Sequence, residues 1–354
     1  MPDTAAILTF IAIVVKVVVA TMILFSLPIP LTWIERKIAA HIQVRLGPWR
    51  VGPHGVLQPI ADTVKLLLKE DIIPDNADKL LFWLAPLMAM VPAFAVFVVI
   101  PFGGKVSLPF IDQDISLYIS DMNVGILYVL AISGLGIYGI ILGGWASNSK
   151  YALLGGLRSS AQMISYEIAI SFAAIGVVMM SNSLSLIDIV KSQDHGILSW
   201  NFFYLPVGPV WFAIFLIGSL AEVNRIPFDL PEDEGTLSSG FHTEYSGMKF
   251  SFFMLAEYIA MVTASVLSVV LFFGGWNSPL PWDLGMPWPI PDVLGPVWFF
   301  AKVWVFIYLF MWLRFTLPRY RYDQLMNIGW KILIPISLVT LLITGAMRIW
   351  YPGT

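Results

Sequence analysis

The sequence predicts an all-α fold: a polytopic membrane helix bundle of about eight transmembrane helices with long cytoplasmic loops. Three observations carry that expectation. The 354 residues are 58% hydrophobic and only 12% charged, whereas a soluble globular domain carries about 25% charged residues. Apolar runs of the roughly 20 residues that a membrane helix needs recur near 6–31, 80–101, 122–145, 160–180, 202–221, 250–274, 296–313 and 329–350. Lysine and arginine, finally, collect in alternate connections between those runs. No soluble domain fits between the spans and no internal repeat is visible. Residues 1–354 therefore read as one transmembrane domain, with loops near 35–79, 146–159, 222–249 and 314–328.

The N-terminal apolar run continues past the length of a signal-peptide core and has no basic segment before it, so it reads as a first span. The connection after it is about 45 residues long, more than a compact domain usually spends on a loop. Arg45-Leu46-Gly47-Pro48 and Gly52-Pro53-His54-Gly55 are turn chemistry. From Leu57 to Glu70, Asp62, Lys65 and Lys69 follow at i, i+3 and i+7 among apolar residues. That spacing puts them on one helix face and predicts a helix lying at the membrane surface. The sixth connection, 275–295, is rich in Pro and Trp and reads as an interfacial aromatic belt.

Orientation follows from the basic residues of the loops. The first, third, fifth and seventh connections hold Arg36, Lys37, Arg45, Arg50, Lys65, Lys69, Lys150, Arg158, Arg225, Arg314, Arg319, Arg321 and Lys331; the second and fourth hold only Lys105 and Lys191. The odd connections are therefore expected in the cytoplasm, and both termini on the opposite side, the periplasm in a bacterium. Other classes recede. There is no cysteine for disulfides, iron–sulfur ligation or thiol chemistry. Four histidines without ligand spacing argue against a structural metal. A net charge of -3 gives no reason to expect nucleic acid.

An ionisable group at bilayer depth costs at least about 2.5 kcal/mol and usually faces a bundle interior or a wet cavity. Glu167, Glu222 and Glu257 sit in the fourth, fifth and sixth spans, each toward the expected cytoplasmic side; Glu35, Arg36 and Lys37 end the first. Lys16 and Lys302 lie within spans and read as snorkelling or structurally paired. Between Glu222 and Glu257 runs a loop in which Arg225 stands alone among Asp229, Glu232, Asp233, Glu234 and Glu244. Crowded carboxylates repel, and some then hold protons more tightly than a free acid. A proton relay needs such groups; a solvated acidic loop with three structural acids would look the same. On this ground a transporter, a channel and a membrane subunit of a redox pump all stand.

Longer strings narrow the choice. Trp33-Ile34-Glu35-Arg36-Lys37, Arg45-Leu46-Gly47-Pro48, the run from Gly52 to Asp62, Gly144-Trp145-Ala146-Ser147-Asn148-Ser149-Lys150-Tyr151, Arg158 through Glu167, Asn224-Arg225-Ile226-Pro227-Phe228-Asp229-Leu230-Pro231, Gly240 through Gly247, and Leu317 through Leu325 resemble the H-subunit family of respiratory complex I, in order and over nearly the whole chain.

The resemblance implies a membrane subunit of the proton-pumping NADH:quinone oxidoreductase of a bacterial inner membrane, part of an enzyme but not catalytic alone. Quinone is its substrate. FMN and iron–sulfur clusters belong to partner subunits, which agrees with the missing cysteines. The implied partners are hydrophilic-arm subunits at the quinone site, small membrane-arm subunits and membrane lipid. Carried over residue by residue, the quinone side comprises Glu35, Arg36, Gln43, Arg45, Phe241 and Arg314. The acidic coupling path comprises Asp62, Lys65, Arg158, Glu167, Glu222, Arg225, Asp229, Glu232, Glu234 and Glu257. One departure stands out: where the family commonly places a third acid after Phe228-Asp229-Leu230-Pro231, this chain has Thr236, with an additional acid at Asp233. Two alternatives stay open: the equivalent subunit of a related ion pump with another electron donor, and a free-standing proton channel or transporter.

Overall fold

The structure, a computed structural model, describes residues 4–106, 115–194, 196–230, 239–279 and 290–350. Among these, seven helices are long and apolar enough to cross a membrane, and an eighth apolar helix is shorter. The all-α bundle of about eight spans is therefore what the chain forms. The first span joins α1 (Thr4–Ser26) to α2 (Pro28–Ile42). Next come α3 (Gln58–Leu68), α4 (Lys79–Ala95), α5 (Gly125–Ala146) and α6 (Lys150–Ser181). The short α7 (Leu186–Lys191) precedes α8 (Val207–Glu222) and α9 (Gly247–Phe272). The last spans are α10 (Ile290–Thr316) and a helix built of α11 (Tyr322–Asn327), a π-helical turn at Ile328–Leu333 and α12 (Ile334–Trp350). A two-residue antiparallel ladder, β1 (Lys105–Val106) with β2 (Ile115–Ser116), closes the second connection.

Local chemistry sets several ends. Asp78 caps α4 by accepting from the amides of Leu80 (3.1 Å) and Leu81 (3.3 Å), satisfying donors that the first turn leaves free. Pro28 opens α2, where a missing N–H does no harm. Asn182 ends α6 in the left-handed region at φ 54°, a conformation that asparagine tolerates.

Three ends differ from the hydropathy reading. The first span runs on to Ile42, so Glu35 and Arg36 sit inside a helix. The fourth begins at Lys150, which leaves three residues between α5 and α6 and puts Arg158 on a helix. Only residues 317–321 separate α10 from α11. Hydropathy marks the lipid-facing apolar stretch, whereas a helix propagates wherever its backbone bonds and packing continue. At Gly155 and Gly156 that packing is tight: a Cβ on Gly155 would lie 2.6 Å from Gly240 Cα. A helix forms where the sequence predicts one, as α3. Residues 280–289 of the aromatic-rich connection lie outside the described residues.

The core sits around α9, where every residue from Met261 to Phe272 is buried. Without a hydrophobic force between helices in lipid, small residues let backbones approach. A Cβ on Gly139 of α5 would come within 2.5 Å of the Ala89 amide of α4. On α8, the buried Trp211 lies over Gly176 of α6 and donates to Thr344 of α12 at 3.1 Å. Lys302 on α10 proves structural: its ammonium donates to the carbonyls of Phe273 (2.8 Å), Gly275 (3.1 Å) and Asn277 (2.6 Å) just past α9.

Candidate functional site

The site begins at the buried Arg225, in the segment that leaves α8. Its place is fixed from below by Gln162 of α6, whose side-chain amide donates to the carbonyls of Ala221 (2.8 Å) and Phe228 (2.8 Å) and to Asn224 Oδ1 (3.2 Å). Gln162 thus clamps both ends of the turn that presents Arg225. The guanidinium then meets two carboxylates from different helices. Nε lies 2.7 Å from Glu257 of α9 and Nη1 3.4 Å from Glu35 of α2. Nη1 also contacts the Met261 sulfur at 3.1 Å, and the guanidinium stacks 4.6 Å from the Tyr258 ring.

Glu35 is the hub. It accepts from the Tyr258 hydroxyl at 2.7 Å, and its other oxygen binds Arg314 near the end of α10. Two carboxylates and two guanidiniums balance in charge, and the side chains of Glu35 and Arg225 are 6% and 1% exposed. Burial works against the charge on Arg225, but the carboxylates of Glu35 and Glu257 outweigh it and hold its pKa above the ordinary arginine value. Taking one partner from such an arrangement leaves an uncompensated buried charge, at about 3–5 kcal/mol.

Glu257 also faces the opposite way. With Glu222, the last residue of α8, it lines a cavity of about 120 Å³, together with Ser133, Asn224, Phe241 and His242. Glu167 of α6 lies within electrostatic reach of Glu222 and packs against Gly134 of α5, where a Cβ would come 2.6 Å from its Oε1. The His242 ring sits among Phe241 (3.8 Å), Phe253 (5.2 Å) and Phe250 (5.5 Å). Burial there lowers its pKa to about 3, so the imidazole is neutral at pH 7.

The second group starts from Arg36, the residue after Glu35 on α2. Arg36 binds Asp62 of α3 at 2.6 Å, and Gln58 donates to the same carboxylate at 3.1 Å. Lys65 is exposed on α3. Arg45 donates to Gln43 Oε1 at 2.7 Å, both exposed past the end of α2. Asp229 is buried and pairs with Arg319 at 3.1 Å. Arg158 is half-buried on α6. Glu232, Glu234 and Thr236 lie outside the described residues. Among the described residues no cluster of His, Cys, Asp and Glu could hold a metal ion.

The geometry redraws the sequence grouping. Glu35 and Arg314, expected on the quinone side, share one cluster with Arg225 and Glu257 of the acidic path. Arg36 and Asp62 likewise pair across the two sets. Phe241 faces the cavity of the acids. Sequence reasoning missed Tyr258, Met261 and Gln162 as members. The signals were faint: Tyr258 adjoins Glu257, and Gln162 lies one turn before Tyr166-Glu167.

Comparison with known proteins decides the family. A profile described as NADH dehydrogenase matches residues 13–345. The chain belongs to the NADH dehydrogenase family. The second H subunit of the NADH-quinone oxidoreductase of Rhizobium meliloti (strain 1021) is 57% identical over 95% of this chain and 97% of that protein. The protein of the same name in Rhizobium etli is 55% identical over 96% of this chain and 95% of its own length. The first H subunit of the Geobacter sulfurreducens NADH-quinone oxidoreductase is 50% identical over 95% and 94%. This family member shares with its relatives nearly its full length, including every helix of the site.

Proposed function

We propose that the chain is the H subunit of a proton-translocating NADH:quinone oxidoreductase, forming the membrane side of its quinone tunnel and the start of its acidic coupling path. What carries the proposal is Glu35, held at once by Arg314, Arg225 and Tyr258. Through Arg225, that carboxylate is one side chain away from Glu257 and the cavity it shares with Glu222.

The quinone side comprises Glu35, Arg36, Gln43, Arg45, Phe241 and Arg314. The path comprises Asp62, Lys65, Arg158, Glu167, Glu222, Arg225, Asp229, Glu232, Glu234 and Glu257. A charge change beside Glu35 or Arg36 on quinone reduction alters the field at Arg225, and with it the charge balance at Glu257 and the cavity it shares with Glu222. This is electrostatic linkage between titrating sites. The subunit lies in a bacterial inner membrane with odd connections cytoplasmic, so the face bearing α3 and residues 223–230 meets the hydrophilic-arm subunits. Small membrane-arm subunits take up the remaining contacts, and FMN and iron–sulfur clusters reside in partner chains.

Copurification tests the assignment: the complex isolated through this chain should bring a flavin-bearing NADH-oxidising arm and reduce quinone. Isolation without such an arm, or proton transport by the chain alone in liposomes, overturns it. Glu222→Gln in the complex is expected to uncouple or slow turnover; unchanged quinone reduction and pumping would remove the acidic-path role.

A further inference from the structure

A second cavity, of about 710 Å³, lies between α1 and the faces of α9 and α10, its Leu31 end one helical turn from Glu35. Its walls are Val19 and Ile23 of α1, Val266 of α9, and Val303 and Ile307 of α10. Lys16 and Ser116 stand at one end, and Leu31 at the other. Lys16 donates to Ser116 Oγ at 2.7 Å and to the Tyr118 carbonyl at 3.5 Å. Those two residues belong to the second connection, so the ammonium sits at the membrane face that this connection marks. From Lys16 to Leu31 the helix rises about 22 Å, whereas one leaflet's hydrocarbon is about 15 Å deep.

We infer that this groove holds one acyl chain of an anionic phospholipid, its headgroup phosphate drawn to Lys16. The walls belong to membrane-spanning helices, so the medium beside them is lipid, and an apolar groove does not fill with water. A flexible acyl chain can follow the length of that groove. Lys16 has no carboxylate partner among the described residues, and a basic group at headgroup level favours an anionic lipid.

The test uses the assembled complex in vesicles doped with phosphatidylglycerol or phosphatidylcholine bearing a photoreactive acyl chain. Cross-links are expected within 16–31 and 300–307, with phosphatidylglycerol labelling about fivefold more efficient, the factor of one basic residue at an anionic headgroup. Lys16→Met should bring the two lipids level, and Ala20→Phe, which fills the groove, should lower labelling by both. If Lys16→Met does not assemble, the wild-type headgroup comparison and Ala20→Phe carry the test. Equal labelling by the two lipids in the wild type overturns the inference. So does labelling displaced by a long-tailed quinone but not by phospholipid, or no labelling because a partner chain covers the groove.

Discussion

Glu35→Gln removes one charge from a buried arrangement whose other members stay in place. Arg225 and Arg314 then face Glu257 alone, and one positive charge is left uncompensated where the Arg225 side chain is 1% exposed. Breaking a buried pair this way costs about 3–5 kcal/mol. The Tyr258 hydroxyl also exchanges a charged acceptor at 2.7 Å for a neutral one, part of a bond worth roughly 1.5–3 kcal/mol. Balance can be restored by also changing Arg314, whose side chain is 29% exposed and therefore the cheaper cation to lose. Glu35→Gln/Arg314→Gln is expected to recover about 1.5–3 kcal/mol relative to the sum of the single changes, a coupling of tenfold or more. The assay is the quinone reductase rate of the complex, normalised to reduction of a soluble acceptor by the hydrophilic arm, with thermal inactivation as the stability readout. A double variant as impaired as the two single losses added together would refute the charge-balance argument. An undisturbed single variant would refute the role of Glu35 as hub.

His242 supplies a pH prediction. Its folded pKa of about 3 lies below the usual 6.5, so between those values the unfolded chain binds a proton that the folded one refuses. Its stability contribution is complete above about pH 6.5 and is lost as pH falls toward 3, roughly 4–5 kcal/mol in all; His242→Phe should flatten that part of the thermal-inactivation profile, and an unchanged slope would dismiss the effect. Arg36→Ala, at a pair with side chains 50% and 32% exposed, should cost under about 1 kcal/mol of stability while lowering quinone reduction more than soluble-acceptor reduction. Gly139→Val should block the α4–α5 contact and reduce assembled complex on native gels, because backbone stands where the side chain would go. Gly134→Ala should displace Glu167 without unfolding the bundle, since the obstructing atom is a side-chain end; its expected readout is fewer protons pumped per quinone reduced.

Much of the bundle was legible in the sequence because lipid imposes a single rule. Every backbone group in the hydrocarbon must be paired internally, so an apolar run of sufficient length is a helix. That rule places spans but not their ends, which is why α2 and α6 outrun their hydropathy. The site was legible as a set of residue types and not as a set of contacts. Glu35, Arg225, Glu257 and Arg314 each stand out as charges in apolar surroundings. Their union spans 279 positions from Glu35 to Arg314, and no local periodicity encodes a meeting of four distant segments. Tyr258 and Gln162 carry no charge, and a hydroxyl or amide in a membrane helix is common enough to hide. Only their partners, Glu35 in one case and the Arg225 turn in the other, reveal what they do.

The cluster also bears on how the proposed coupling is organised. If quinone-side and path residues formed separate groups, a signal between them would need an intervening moving element. In this geometry none is required, because Arg225 binds Glu35 with Nη1 and Glu257 with Nε. Any charge that draws Arg225 toward one carboxylate weakens its hold on the other. Glu257 lines the cavity that Glu222 also lines, one side chain away from that change. The same connectivity predicts that Glu35 and Glu257 variants will not sort cleanly into quinone-binding and pumping defects. Each should disturb both readouts, because both carboxylates share the one guanidinium that Gln162 presents through the Arg225 turn.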